Sequence, residues 1–205
     1  MAAGSYYYVV TAATPTGESA PSNKAKAKTA LSLITKSAAM TFNGVDQYVA
    51  LPADVVAGLA DFTIAVKVYW NAARDWERVF DFGSGMNQYL FLTPRAGRGG
   101  LQFTISNNGG YGSQTVSTPT PLATGRWVHV AVTLTGSTAT LYVDGSQVGI
   151  NTAMTRAPFR LDSTESNWLG RSQYPADPYF NGRVDEFRIY NGAMTAAQVA
   201  ALALS

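Results

Sequence analysis

From Ala39 onward the chain repeats one pattern: short stretches in which apolar and polar residues alternate, cut at close intervals by Gly, Pro, Asn and Asp. Alternation with period two marks a strand with one buried face, and no other feature constrains the fold as tightly. FTIAVKVYW sets Phe62, Ile64, Val66, Val68 and Trp70 against Thr63, Ala65, Lys67 and Tyr69. LQFTI repeats the pattern with Leu101, Phe103 and Ile105. WVHVAVTL sets Val128, Val130, Val132 and Leu134 against Trp127, His129, Ala131 and Thr133. Gly136-Ser137 and Asp144-Gly145 separate such runs by two residues that tolerate positive φ, which predicts tight antiparallel hairpins. Only the C-terminus departs from the pattern. Thr195 and Gln198 make a T-x-x-Q capping box ahead of AQVAALAL, so a short helix covering one end of the sheets is expected. The fold class is therefore all-β, a two-sheet antiparallel β-sandwich or jelly roll with a short C-terminal helix.

The 205 residues, 46% of them hydrophobic, suffice for one full core. A net charge of +2 with 14% charged residues creates no field that would draw the chain onto nucleic acid or an anionic membrane. No apolar run approaches the roughly 20 residues that cross a bilayer. The absence of cysteine excludes disulfides, thiolate ligands and a thiol nucleophile. AAGSYYYVV has neither the basic nor the apolar region of a signal peptide, and the chain reads as a monomeric piece of a longer protein. SYYYVVTAA and KAKAKT flank the turn-rich TPTGESAPSN, so residues 1–30 are expected to form a hairpin plus linker and residues 31–205 the main domain.

One late strand poses a puzzle. In GRVDEFRIY, period two places Asp185 with Phe187 and Ile189, opposite Val184, Glu186, Arg188 and Tyr190. A carboxylate on an apolar face needs a cation or several donors, and either a metal or an arginine such as Arg183 or Arg78 would serve. His129, the single histidine, lies in an apolar strand and reads as a structural imidazole, with Trp127 beside it as a packing residue.

Five segments occur in an order that resembles the laminin G-like, concanavalin A-like jelly roll. They are FNGVDQYVALP, DFTIAVKVYW, RVFDFG, WVHVAVTLTGSTATLYVDGSQVG and GRVDEFRIYNGAMTAAQV, and they span roughly residues 38–203. A closer resemblance within that family is to the form appended to bacterial secreted glycoside hydrolases that act on plant polysaccharides, often behind a fibronectin type III module. Residues 1–30 resemble the last two strands of such a module, with Gly17, Glu18, Ser19, Pro21 and Ser22 following a Tyr-rich strand; an edge hairpin of the main domain accounts for them equally well.

The resemblance implies a structural Ca2+ tying the first strand's loop to the penultimate strand, at positions matching Asn43, Gly44, Asp46 and Asp185. Carboxylates, an amide and turn carbonyls are the hard oxygens that calcium takes. It also implies sugar binding, which needs flat rings under a sugar's C–H face and planar polar partners. Loop residues of that kind are Trp76, Arg78, Tyr111, Arg171, Gln173, Tyr174, Asp177 and Tyr179. An Arg171–Asp177 ion pair pinning the loop is the competing explanation for part of this set. Trp168, between Asn167 and Leu169, reads as core. Related glycosidases carry carboxylates in E-x-D-x-E or E-x-D-x-x-E runs, and neither occurs here; Asp75, Glu77 and Asp81 in DWERVFD come nearest.

The expected function is a non-catalytic carbohydrate-binding module, secreted and bacterial, that targets a plant cell-wall polysaccharide for an attached glycoside hydrolase. Xylan and arabinoxylan lead, with arabinan, galactan and fructan behind. Two alternatives stand beside it. One is a module that packs on a catalytic domain and binds no sugar; the other is a catalytic jelly roll using Asp75, Glu77 or Asp81.

Overall fold

The computed structural model describes residues 39–71 and 74–205, together with five strand backbones among the first 38 residues. Strand β1 (Ser5–Tyr8) pairs with β4 (Ala25–Lys28), and β2 (Ala13–Thr14) with β3 (Gly17–Glu18), in the places where SYYYVVTAA and KAKAKT suggested a hairpin. The fibronectin type III reading of residues 1–30 rests on side chains outside the described residues.

The sandwich is built from β5 (Ser32–Thr35), β6 (Met40–Asn43), β7 (Val49–Leu51), β8 (Phe62–Trp70), β9 (Phe80–Gly83), β10 (Tyr89–Thr93) and β11 (Gln102–Ser106). It continues with β12 (Gln114–Ser117), β13 (Trp127–Thr135), β14 (Thr138–Val143), β15 (Ser146–Asn151), β16 (Ser166–Leu169) and β17 (Asn181–Asn191). One antiparallel sheet runs β12-β11-β10-β9-β16-β7. The other runs β15-β14-β13-β8-β17-β5, with β6 also paired to β17. Both predicted hairpins form: Thr135 faces Thr138 across Gly136-Ser137, and Val143 faces Ser146 across Asp144-Gly145. Asp144 (φ 47°) and Gly145 (φ 79°) both take the left-handed backbone that a primed turn requires.

The alternating apolar positions face inward as their period demands. Phe62, Ile64, Val66, Val68 and Trp70 of one sheet meet Phe80, Phe82, Leu90, Leu92, Phe103 and Ile105 of the other, all buried. The rings of Phe80 and Phe82 lie 5.8 and 6.0 Å from Phe187, and Phe62 lies 5.9 Å from Phe103, so aromatic contacts join the sheets. Each such side chain contributes about 1.5–3 kcal/mol through burial.

Helix α1 (Ala196–Ala203) starts with the expected capping box, the Thr195 hydroxyl accepting from the Gln198 N–H and the Gln198 side chain accepting from the Thr195 N–H. It sits differently from expectation. Its buried Val199 packs on Ala65, Ala131 and Tyr142, so the helix lies against the outer face of the seven-stranded sheet and not over one end of the sandwich. Alanines at those outward positions leave room for it. Among the described residues no helix is long and apolar enough to cross a membrane.

The Asp185 puzzle is resolved by a β-bulge. Between Asp185 and Arg188 the pairing of β17 with β8 slips by one residue, and Glu186 takes φ 48°. The extra residue reverses the parity of the strand, so Val184, Phe187 and Ile189 all point inward while Asp185 is displaced from the core face. Asp185 lies opposite Lys67, and its Oδ1 accepts the Glu186 N–H at 2.8 Å. It forms no ion pair with Arg183 or Arg78.

Candidate binding site on the outer face of the six-stranded sheet

With the helix on the opposite layer, the six-stranded sheet keeps its own outer face. Strand register places Thr115, Thr104, Phe91, Asp81, Trp168 and Ala50 in one row across it. Inward-pointing Leu90 and Leu92 alternate with outward Tyr89 and Phe91 along β10, so one strand serves both the core and the surface. The loop 170–180, between β16 and β17, folds back over this row. Its Gln173 N–H donates to Asp81 Oδ2 at 3.0 Å, and its Tyr174 hydroxyl donates to the Tyr89 hydroxyl at 3.2 Å.

The loop divides the face into two clefts. The first, of about 310 Å³, is lined by Trp76, Arg78, Tyr89, Phe91 and Tyr174, with Gln102, Thr104, Ser113 and Thr115 as polar edges. Trp76 is 37% exposed and holds a left-handed backbone (φ 65°), an uncommon conformation for a large residue. Its N–H donates to the Arg95 carbonyl at 2.9 Å and its own carbonyl accepts Arg78 Nη1 at 2.7 Å, so the fold holds the indole at the cleft. On the opposite edge Gln102, Thr104 and Thr115 form a hydrogen-bonded ladder with spacings of 2.9 and 3.0 Å.

Beneath this cleft lies Arg78, only 2% exposed, its guanidinium 3.9 Å from the Phe91 ring centroid. It donates to Asp81 Oδ2 at 3.3 Å and to Asp177 Oδ2 at 2.8 Å, so two carboxylates offset one cation. Burial raises the Asp81 carboxyl from its ordinary 3.8 to about 7, against the lowering pull of Arg78 and the Gln173 N–H. Tyr174 is likewise pushed up to about 12 by burial and its bond to Tyr89.

The second cleft, of about 380 Å³, is lined by Trp168, Arg171, Gln173, Tyr174, Asp177 and Tyr179 among others. Here Arg171 lies over two rings, 4.3 Å from Trp168 and 4.7 Å from Tyr48. Gln173 is buried and fully used: its Oε1 accepts from Gly85 and its Nε2 donates to the Ser166 carbonyl.

The family described as the Concanavalin A-like lectin/glucanases superfamily matches residues 43–200. The chain belongs to this superfamily. Among solved structures, this concanavalin A-like domain is similar to domain 4 of AbnA, a GH43 extracellular arabinanase from Geobacillus stearothermophilus, in complex with arabinotriose. Identity is 23% over 96% of this chain and 81% of that one, with a TM-score of 0.67. The Ruminococcus gnavus IT-sialidase CBM40, bound to α2,3-sialyllactose, is similar at 14% identity over 84% and 99% of the two chains, with a TM-score of 0.72. A heptameric SAP-like pentraxin from Limulus polyphemus follows at 17% identity over 80% and 81%, with a TM-score of 0.55. No curated protein matches the sequence at significant similarity.

The eight residues expected to bind sugar fall into separate groups on this concanavalin A-like face. Trp76 and Arg78 line the first cleft, Arg171, Gln173 and Tyr179 the second, and Tyr174 and Asp177 both. Tyr111 is fully exposed on the loop between β11 and β12; its neighbours Gly110 and Ser113 reach the first cleft and it does not. The alternative Arg171–Asp177 pair does not form, because Asp177 is held by Arg78 and by the Ser172 hydroxyl at 2.8 Å. Trp168 is not core: it faces outward on β16, edge-on to Tyr48 at 6.1 Å. Trp127, expected to pack, is 38% exposed on the other sheet, edge-on to Tyr69 at 5.7 Å. His129 is buried with Nδ1 unpartnered among protein atoms, and burial lowers it from 6.5 to about 4. Tyr48, Tyr89, Phe91 and the Gln102 ladder went unread. The available signal for Tyr89 and Phe91 was YLFLT, where aromatics alternate with leucines.

The residues expected to share calcium lie in two places. Asn181, not Asp185, stands opposite Asn43, and Asp185 lies four residues, about 13 Å, further along the strand. Asn43 Oδ1 accepts the N–H groups of Val45, Asp46 and Gln47, and its amide donates to Asp46 at 2.8 Å. The Gly44 carbonyl accepts Arg74 Nη2 at 2.7 Å, and the same nitrogen reaches the Tyr179 carbonyl at 3.0 Å. An arginine therefore ties this turn to the later loop. No group of three or more His, Cys, Asp or Glu side chains suited to a metal occurs among the described residues.

The carboxylates of DWERVFD do not converge either. Asp75 pairs with Arg95, while Glu77 is sealed between the Trp70 indole and Arg74. Burial raises the Glu77 carboxyl, and both of those donors act against it. Of the acids near the first cleft only Asp177 lines it.

Proposed function

We propose that this domain is a non-catalytic carbohydrate-binding module and that the first cleft holds the sugar. The observation that carries the reading is Trp76, kept partly exposed by a left-handed backbone at a cleft that pairs aromatic rings with a hydroxyl and amide ladder. Rings supply stacking for C–H faces, and the ladder supplies partners for ring hydroxyls. The scatter of Asp75, Glu77 and Asp81 supports a role without hydrolysis, since flanking carboxylates about 5–10 Å apart across one groove are what glycosidases need.

The ligand we assign is a plant cell-wall polysaccharide, with xylan and arabinoxylan first. Arabinan stands beside them because a similar domain, that of AbnA, holds arabinotriose. The module is a secreted bacterial one that acts by keeping an attached glycoside hydrolase near its substrate through added local concentration.

Calorimetry and affinity electrophoresis on arabinoxylan, xylan and arabinan test the reading. Trp76→Ala and Tyr174→Ala should each weaken binding by about 1 kcal/mol, or fivefold, with folding intact. Wild-type protein that none of these polysaccharides retards would overturn it.

A further inference from the structure

Two arginines lie near the outer face of the six-stranded sheet, and their surroundings differ. Arg78 is buried and meets two carboxylates and a carbonyl. Arg171 has no ion pair and no hydrogen-bond acceptor among the described residues; its only partners are the faces of Trp168 and Tyr48. A guanidinium held over rings is positioned at small further entropic cost, and its N–H donors stay free for a planar acceptor. Arg183 lies similarly over Tyr69 and Trp127, but on the other sheet and outside the lining of the cleft that holds Trp127 and His129. Arg171 lines a cleft, with Tyr179 beside it. The one carboxylate in that cleft, Asp177, is already engaged by Arg78 and Ser172.

We propose that the cleft formed by Trp168, Arg171 and Tyr179 is a second saccharide subsite, and that it takes a sugar carboxylate through the Arg171 guanidinium. Carboxylate oxygens match the guanidinium fork, while the rings under and beside it hold the sugar body. Register sets Trp168 two strands from Phe91, about 10 Å away, so one glycan chain can reach both clefts. The first cleft, whose single lining arginine is already neutralised, suits an uncharged sugar. The second suits an acidic one, such as a uronic acid borne by the same polysaccharide.

The test compares oligogalacturonate with its methyl ester, in which each carboxylate charge is removed and a methyl group added. The wild-type domain should bind the acid about tenfold more tightly than the ester, and added salt should erode that preference. Arg171→Gln should abolish the preference, and Arg171→Lys should retain part of it. Equal binding of acid and ester by the wild type, binding of neither, or a preference that survives Arg171→Gln would each overturn the proposal. The acid and ester comparison needs no variant, so it stands even where a substitution disturbs folding. Arabinoxylan binding and its weakening in Trp76→Ala report separately on the first cleft, so either reading can fail without the other.

Discussion

Replacing Arg78 by Met tests whether the support beneath the first cleft is a buried ion-paired unit. Met keeps an apolar stem against Phe91, so the loss is mainly polar. Three bonds vanish: to Asp81 at 3.3 Å, to the Trp76 carbonyl at 2.7 Å and to Asp177 at 2.8 Å. Asp177, 18% exposed, can be solvated instead. Asp81 cannot, because it is fully buried, its Oδ1 has no partner, and only the Gln173 N–H remains for Oδ2. Breaking a buried pair from one side costs about 3–5 kcal/mol. That cost depends on pH. With Arg78 present the Asp81 carboxyl already stands at about 7, above its ordinary 3.8, and losing the cation drives it higher. A protonated Asp81 avoids the charge penalty, so the destabilisation grows from pH 5 to pH 8, and the growth is at most about 1.4 kcal/mol because protonating a carboxyl that stands at about 7 costs one pH unit at pH 8. Urea unfolding at both pH values, read from the midpoint at constant slope, measures it. Asp81→Asn in the same chain should restore more than half of the loss at pH 8. A cost below about 1 kcal/mol at pH 8, or an equal cost at both pH values, would refute the buried-pair argument.

Asp81 and His129 impose opposite pH slopes on the wild type. A raised carboxyl stabilises at low pH and loses that contribution as pH climbs from about 4 to about 7, whereas a lowered imidazole costs stability as pH falls from 6.5 to about 4. His129→Gln should therefore gain more in melting temperature between pH 7 and pH 5 than the wild type does; parallel melting curves would contradict the assignment. Gly182→Ala places a methyl group against the Tyr69 carbonyl oxygen and the Phe180 ring and should cost about 2 kcal/mol or more in chemical unfolding. Melting in chelator against melting in millimolar calcium tests the ion expected at the Asn43–Asp46 turn. A rise of about 3 °C with calcium, the shift for about 1 kcal/mol in a chain of this size, would establish that ion, and temperatures within about 1 °C of each other would set it aside.

The strands, both tight hairpins and the helix cap were legible because each is written in local sequence, as a period of two, a pair tolerant of positive φ, or a Thr and a Gln three apart. What failed was whatever depends on a partner far along the chain. Alternation assumes an unbroken pleat, and one bulged residue at Asp185–Glu186 reverses it with no glycine or asparagine to announce the turn of backbone. Trp168 looked like core beside Leu169 and Gly170, yet its exposure follows from β16 inserting between β9 and β7, which turns it to the outer face next to Asp81. Arg78 and Asp177 are 99 residues apart, and only the fold makes them partners. The polar-aromatic loop 171–179 was recognised by composition, but its residues divide between two clefts according to which strand lies beneath each one. For the two arginines the consequence is chemical. Identical in kind, they differ in the number of acceptors the fold delivers to them among the described residues, three for Arg78 and none for Arg171, and that count separates a structural cation from one open to a ligand.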